Sequence, residues 1–209
     1  MILTPKDRLK CFKSKFPQYS GLIVHNNSWY GHWVVGCWIK NDKELYGAYP
    51  HNLPDRILAL FPDCHKIMHL FSGTIRAHNN IYTFDISNKY NPTICDDIRN
   101  IKNHKDIISK IDIILADPPY AKEDFKKYGY KPFNKNQVIR DLGEIMKPGA
   151  FLVWLDTWNP MYKKETWFRC GIIGVTVGTN SRARVLTFFQ RIGNDSEIMN
   201  NKSKLEEYF

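Results

Sequence analysis

The run Ile113-Ile114-Leu115-Ala116-Asp117-Pro118-Pro119-Tyr120 joins a hydrophobic segment to an abrupt polar and aromatic end. A short apolar run that stops at a turn signal is typical of a buried strand. The two prolines end that strand and stiffen the backbone that follows it. The acid and the tyrosine are therefore expected at the carboxyl end of a strand, which is where open α/β sheets bind their ligands.

Length and charge narrow the class of protein. The 209 residues fit one domain, or one domain with a small appendage, and can bury a substantial core. The formal net charge of +9 favours a polyanionic partner, and nucleic acid is the first candidate. A charge that serves only solubility is the alternative explanation.

Cysteine and histidine usage indicates a reduced, metal-free protein. The five cysteines are odd in number, widely spaced and without a Cys-x-x-Cys pair, as in cytoplasmic proteins with free thiols. The seven histidines show no regular ligand spacing, so we expect no metal site. The first 20 residues are charged throughout, and no apolar run approaches the ~20 residues of a membrane span. We therefore expect a soluble, cytoplasmic protein with no membrane partner.

The N-terminal part of the chain predicts a helix followed by a β-hairpin. Thr4-Pro5-Lys6-Asp7 is a helix-start signature, and the helix should end before Pro17. Segments 22–24 and 33–39 are rich in β-forming residues and are separated by the turn signal Asn26-Asn27. We expect residues 1–45 to form a small appendage placed before the main sheet.

From Lys66 onward, strand and helix patterns alternate, which predicts a parallel α/β sheet. This domain should span residues 46–192, with a polar tail at 193–209. Only residues 74–80 separate the first two strands, whereas a parallel crossover normally needs about a dozen residues. The first crossover helix must therefore be stunted or replaced by a loop. Strands are predicted at 67–71, 81–84, 93–95, 111–116, 151–155, 171–177 and 184–190, and helices at 53–61, 137–146 and 159–168.

The tetrapeptide Asp117-Pro118-Pro119-Tyr120 resembles the (Asp/Asn/Ser)-Pro-Pro-(Tyr/Phe/Trp) motif of class I S-adenosylmethionine-dependent methyltransferases that modify exocyclic amino groups, mostly on nucleic-acid bases. The resemblance covers about residues 46–191. It implies a Rossmann-like sheet, mostly parallel with a terminal antiparallel hairpin, and S-adenosyl-L-methionine as the cofactor. The alternative interpretation of the tetrapeptide is a rigid turn that ends a strand.

The same resemblance implies a set of cofactor-binding residues. Phe71-Ser72-Gly73 is similar to the Phe-x-Gly motif, whose tight turn lets the backbone approach the amino-acid moiety of the cofactor. It departs from the fuller pattern at Ile75, where a second glycine is common. Asp85 would bind the ribose hydroxyls, with a turn cap as its alternative role. An acid after the third strand would bind the adenine amino group; Asp96 fits the register better, and Asp97 is the alternative.

For the four motif residues, the resemblance implies a direct role in methyl transfer. The Asp117 carboxylate and the Pro118 carbonyl would accept the two N–H bonds of the target amine and stabilise the positive charge that grows on nitrogen. Pro119 would hold the turn, and Tyr120 would stack on an unpaired or extruded base. The chain has no Pro-Cys pair, which argues against the cytosine-C5 enzymes that use a cysteine nucleophile.

The segment after the motif, residues 121–135, is both basic and aromatic. This composition is suited to binding a single strand or an extruded base. An ordinary solvated loop is the alternative. Asp156, Trp158 and Asn159, at the end of the fifth strand, are weaker candidates for the target pocket. The residues that we expect to bind nucleic acid are Lys122, Lys126, Lys127, Tyr128 and Lys131.

Adenine N6 in DNA is the target that we expect first, because Asp at the head of the tetrapeptide favours adenine over cytosine as a tendency. Cytosine N4 in DNA and an amino group in RNA stay open. A catalytically idle, methyltransferase-like binding subunit is an alternative from a different class. No insertion is long enough for a separate recognition domain, so a protein partner for target recognition is a further option.

Overall fold

The computed structural model describes residues 3–19, 21–36, 49–120, 122–127, 131–178 and 182–193. The end of the predicted β segment 33–39, Tyr128 and most of the polar tail lie outside these ranges. The helices are α1 (Pro5–Lys15), α2 (Leu53–Ala59), α3 (Lys105–Ile108), α4 (Lys122–Lys127) and α5 (Lys135–Ile145), with 3₁₀ turns at Asn88–Tyr90 and Ile98–His104. The strands are β1 (Leu22–His25), β2 (Ser28–Val35), β3 (Ile67–Leu70), β4 (Ile81–Asp85), β5 (Ile94–Cys95), β6 (Ile113–Ala116), β7 (Phe151–Asp156), β8 (Trp167–Val177) and β9 (Arg182–Arg191).

All strands of the described residues join in one nine-stranded sheet with the order β1-β2-β8-β9-β7-β6-β3-β4-β5. The strands from β5 to β7 in this order are parallel to one another. Strand β9 is antiparallel to both β7 and β8. The predicted fold class, a mostly parallel sheet that ends in an antiparallel hairpin, is confirmed.

The N-terminal hairpin differs from the prediction in its place. It was expected before the main sheet, but β2 pairs in parallel with β8 from Trp29↔Gly171 to Val35↔Val177 and extends the sheet. This ladder satisfies backbone groups that an isolated hairpin would leave to water. The proposed boundaries at 1–45, 46–192 and 193–209 stay a prediction.

Helix α1 follows its sequence signature. Thr4 and Asp7 form a capping box, and the helix ends at Lys15. Its buried Arg8 pairs with Asp63, with Nη2 and Oδ2 2.7 Å apart, and so fixes the helix next to the loop before β3.

Two hydrophobic clusters cover the two faces of the sheet. Along β6 the side chains of Ile114 and Ala116 belong to one cluster, which α5 covers, and those of Ile113 and Leu115 belong to the other, which α1 and α2 cover. A strand buried on both faces reads as a continuous apolar run. The polar residues that follow β6 therefore emerge at the edge of a rigid layer.

Two connections differ in how well the sequence predicted them. The short link between β3 and β4 is a loop, as predicted, with a turn in which the Ile75 N–H donates to the Ser72 carbonyl over 3.0 Å. The helix predicted at 159–168 is wrong, because residues 159–163 have no regular structure and β8 begins at Trp167. Trp167 pairs with Arg191 on β9, and its buried indole N–H donates to the Ile139 carbonyl. This tertiary pairing overrides the local helix signal.

None of the helices in the described ranges is long and apolar enough to cross a membrane.

Candidate functional site

The carboxyl ends of the five parallel strands meet at one edge of the sheet, and the structure brings the predicted catalytic and cofactor-binding residues together there. Each group follows directly from its own strand, so the sheet fixes their order. From β3 to β7 they are Phe71–Gly73, Asp85, Asp96–Asp97, Asp117–Tyr120 and Asp156.

Asp117 is the half-buried acid that follows β6. Its Oδ1 accepts a hydrogen bond from the Tyr120 hydroxyl. Desolvation raises its pKa to about 6, while the Tyr120 hydrogen bond and the charges of Arg184 and Lys135 lower it and the charge of Asp156 raises it. The carboxylate is therefore ionised at neutral pH and becomes neutral in mild acid.

Two cations lie near the ring of Tyr120. The Arg184 guanidinium carbon is 5.0 Å and the Lys135 Nζ is 5.8 Å from the centroid of the phenol ring. Desolvation and the charge of Asp117 raise the pKa of Tyr120 well above its ordinary value. The hydroxyl thus stays protonated and can keep donating to Asp117.

Lys135 and Asp156 form a buried ion pair beside this tyrosine. The Nζ–Oδ2 distance is 2.8 Å, and the two side chains are 8% and 1% exposed. The Asp156 carboxylate also accepts from the Trp154 indole N–H at 3.3 Å and from the Thr157 N–H at 2.7 Å. Sequence reasoning named Asp156 for the target pocket and Lys135 only as one lysine of the basic segment, and it did not pair them. The available signal was that an acid at the end of a buried strand needs a cation nearby.

A cavity of about 290 Å³ opens next to Tyr120. This size is near the lower limit of small-molecule pockets, ~300 Å³, and suits one planar ring system. Aromatic rings and polar side chains both line it. The lining residues are Tyr120, Phe125, Phe133, Asn134, Lys135, Asn136 and Trp158.

Phe133 connects this cavity to the cofactor motif. Its ring stacks on Phe71, with centroids 5.5 Å apart and an angle of 5° between the rings. The same ring meets Phe125 edge-on at 5.2 Å. The aromatic residues interleaved with lysines after the motif thus include two that pack inward at the site.

The turn after β3 has the features of a ligand cradle. Phe71 and Gly73 both have positive φ, 58° and 53°, a conformation that is strained for phenylalanine. The Gly73 N–H donates to Asp85 Oδ2 at 2.9 Å, and the Ser87 N–H donates to Oδ1 at 2.9 Å. The Ser72 hydroxyl is buried and has no hydrogen-bond partner among the described residues. A buried polar group without a partner fits a site that a polar ligand completes.

The two acids after β5 have different local partners. Asp96 accepts from the Asn100 side chain at 2.9 Å and from His104 Nε2 at 2.8 Å, and these hydrogen bonds lower its pKa. Asp97 caps the 3₁₀ turn Ile98–His104 and pairs with Arg99 at 2.6 Å. Asp97 thus has a structural role in the turn that it begins.

The predicted nucleic-acid-binding residues are only partly described. Lys122, Lys126 and Lys127 belong to α4, and the side chains of Lys126 and Lys131 are exposed. The side chains of Lys122 and Lys127, and all of Tyr128, lie outside the described residues. The role of these lysines in nucleic-acid binding therefore stays a prediction.

Comparison with known proteins places the fold. No protein-family model matches the chain, and no curated protein matches its sequence. Among solved structures, TrmN from Thermus thermophilus aligns with a TM-score of 0.50 and 14% identity, over 71% of this chain and 51% of TrmN. The chain has the class I methyltransferase fold.

Other structures with the methyltransferase fold align with lower scores. A SAM-dependent methyltransferase from Streptococcus mutans has a TM-score of 0.49 and 13% identity, over 88% of this chain and 65% of that protein. An rRNA methylase from Streptococcus thermophilus has a TM-score of 0.36 and 11% identity, over 62% of this chain and 89% of the methylase. The chain spans about half the length of TrmN and about two thirds of the S. mutans protein.

Proposed function

We propose that the chain is an S-adenosylmethionine-dependent methyltransferase that modifies an exocyclic amino group of a nucleic-acid base, with adenine N6 in DNA as the first candidate. The observation that carries the proposal is the position of Asp117. It shares a hydrogen bond with Tyr120 beside a cavity that suits one ring system, and it follows the strand next to the Phe71–Gly73 turn. A target amine and a methyl donor would meet at this acid.

The cofactor would lie across the ends of β3, β4 and β5. Ser72 and the backbone at Gly73 would hold its amino-acid end, because the buried Ser72 hydroxyl lacks a partner among the described residues. Asp85 would accept from the ribose hydroxyls with its remaining lone pairs. Asp96 stays the first candidate for the adenine amino group and Asp97 the alternative, since both carboxylates already accept local hydrogen bonds.

The Asp117 carboxylate and the Pro118 carbonyl would accept the N–H bonds of the target amine. Since Tyr120 occupies Oδ1, Oδ2 is the oxygen that accepts an amine N–H. These acceptors localise the nitrogen lone pair and stabilise the positive charge that develops on it. When bound, the cofactor supplies an electrophilic methyl group on a sulfonium. Asp117, or water, would take up the proton that the amine loses.

The direct test is incubation with cofactor that carries a labelled methyl group, in separate pools of DNA and RNA, followed by identification of the modified nucleoside by mass. We expect N6-methyladenine from the DNA pool. A labelled amino group from the RNA pool alone would move the target to RNA. No label in either pool would contradict methyl transfer and favour the idle binding subunit.

Cofactor binding gives a second, independent prediction. At 100 times its Kd, S-adenosylhomocysteine should raise the free energy of unfolding by about 2.7 kcal/mol. Asp85→Asn should shrink this increment because one ribose acceptor is lost. The matched control is Asp106→Asn, an exposed acid on α3. Urea titrations with and without the ligand measure the increment, and no increment in the unsubstituted protein would exclude the cofactor site.

The lysines after the motif give a third prediction. Replacing Lys126, Lys127 and Lys131 by Glu should weaken nucleic-acid binding and flatten the slope of log K against log salt, by about 0.9 for each duplex phosphate that is no longer neutralised. Fluorescence anisotropy over a salt series measures both quantities. The control makes the same charge change on α1, at Lys6, Lys13 and Lys15. A larger decrease in affinity for the control than for the first variant would move the phosphate-binding surface to α1.

A further inference from the structure

Two large apolar side chains stand exposed in the segment that follows β7, and one of them lines the cavity. Trp158 lines the cavity and is 43% exposed, and Met161, three residues later, is 72% exposed. The other tryptophans that the structure describes are all buried. Exposed apolar surface next to a pocket marks a binding surface more often than scattered single residues do.

The segment that carries these side chains is held firmly by three contacts. The Met161 N–H donates to Asn136 Oδ1 at 3.0 Å, which ties the segment to the start of α5. The Thr187 hydroxyl donates to Asn159 Oδ1 at 2.9 Å, and the Tyr162 ring packs on Phe189 with centroids 5.0 Å apart. These contacts fix the backbone, so that the Trp158 indole and the Met161 thioether stay exposed to solvent.

Exposed lysines in the two segments that carry cavity-lining residues indicate the partner. Exposed Lys163 and Lys164 follow Met161, and exposed Lys126 and Lys131 lie in the segment that carries Phe125 and Phe133 on the cavity wall. Cationic side chains next to exposed aromatic surface are the usual means of binding a single strand. If one base of such a strand enters the cavity, its neighbour comes within reach of Trp158 on the cavity wall.

We propose that Trp158 and Met161 form a stacking platform for the base that flanks the target base on an unpaired nucleic-acid strand. The proposal rests on the function above, since the cavity is taken as the place of the target base. The platform makes the protein select single-stranded or locally opened substrate, because a base inside an intact duplex offers no free face for stacking. The platform also makes the affinity for the strand depend on the base next to the target base.

Binding of a 12-nucleotide single-stranded DNA, the RNA of the same sequence and the matching DNA duplex tests the platform. We expect the double variant Trp158→Ala with Met161→Ala to bind the single strands roughly 10- to 100-fold more weakly, the range expected when one base no longer stacks on an aromatic side chain. Phe168→Ala is the matched control, because Phe168 is exposed on β8 and does not line the cavity. The control should bind as the unsubstituted protein does.

Tryptophan fluorescence separates stacking from a change of shape. Single strands should quench the emission of the unsubstituted protein, and Trp158→Phe should lose most of the quenching while keeping most of the affinity. Unchanged affinity in the double variant, or unchanged quenching in Trp158→Phe, overturns the platform.

The labelled-methyl assay distinguishes a failure of the platform from a failure of the proposed methyl transfer. Methyl transfer with normal affinity in the double variant would refute the platform alone. Weakened binding in a protein that transfers no methyl group would refute the enzyme and leave the platform standing.

Discussion

Replacing Asp117 by alanine is expected to slow methyl transfer by about 10²- to 10³-fold, the usual cost of removing one preorganised group that stabilises charge in the transition state. Cofactor binding should survive, because Asp117 lies on the amine side of the proposed site. Single-turnover transfer of labelled methyl groups measures the rate, and ligand-induced stabilisation measures the binding. Glu123→Ala, an exposed acid on α4, is the control and should keep the full rate.

The pH dependence of Asp117→Asn makes this prediction sharper. Since desolvation raises the Asp117 pKa to about 6, kcat/KM of the unsubstituted protein should rise as pH increases towards 6 and level off above it. The asparagine variant keeps an acceptor oxygen but does not titrate, so its rate should be reduced and lack that rise. A retained rate in the alanine variant, or the same rise in the asparagine variant, would contradict the role of the carboxylate.

The raised pKa of Asp117 also predicts how the stability of the protein changes with pH. In the unfolded chain the carboxyl has its ordinary pKa of 3.8, so the folded state holds the proton more tightly. The contribution of Asp117 to stability is therefore complete below about pH 4 and is lost as pH rises through 6. Asp117→Asn should remove this decline from a series of urea titrations.

Replacing Lys135 by methionine is expected to destabilise the protein by about 3–5 kcal/mol, the cost of leaving a buried charge without its partner. Asp156 is 1% exposed and would keep only its hydrogen bonds from Trp154 and Thr157. Adding Asp156→Asn should recover part of the loss, since the amide carries no charge and its one oxygen still accepts from either Trp154 or Thr157. Urea unfolding of the single and double variants measures both steps.

An exposed ion pair serves as the control for the buried pair of Lys135 and Asp156. Lys102 pairs with Glu144 at 2.5 Å, and the two side chains are 51% and 58% exposed. Water and salt screen such a pair, so Lys102→Met should leave the urea midpoint almost unchanged. An equal loss of stability at both lysines would show that the burial of Lys135 carries no special energy. A double variant as unstable as the single one would mean that Lys135 acts through packing and not through its charge.

Local signals predicted the edge of the sheet where the site lies. The continuous apolar run before Asp117 and the turn at Phe71–Gly73 each specify a strand and its end within a few residues, because burial on both faces and proline or glycine punctuation are local properties. Parallel strands then place the acids at Asp85, Asp96 and Asp117 along one edge. This part of the candidate site follows from sequence and elementary topology.

The rest depends on contacts between distant residues. Which strand accepts β2 cannot be read from its own alternation, and the pairing with β8 was missed. The start of β8 at Trp167 is set by its partner β9, so the polar stretch before it was misread as a helix. Lys135 and Asp156 are 21 residues apart and carry no shared pattern. These three features are products of tertiary packing.

The pairing of β2 with β8 also sets an order for folding. The Ser28 hydroxyl donates to the Arg169 carbonyl, 141 residues further along, so β2 can complete this pairing only after β8 has been made. A lone two-stranded hairpin is marginal in water, and contacts of such long sequence separation form slowly. Until β8 is present, the edge of β2 lacks this partner strand, and β8 then joins it to β9 and the rest of the sheet. The β1–β2 hairpin is therefore expected to join the sheet late in folding.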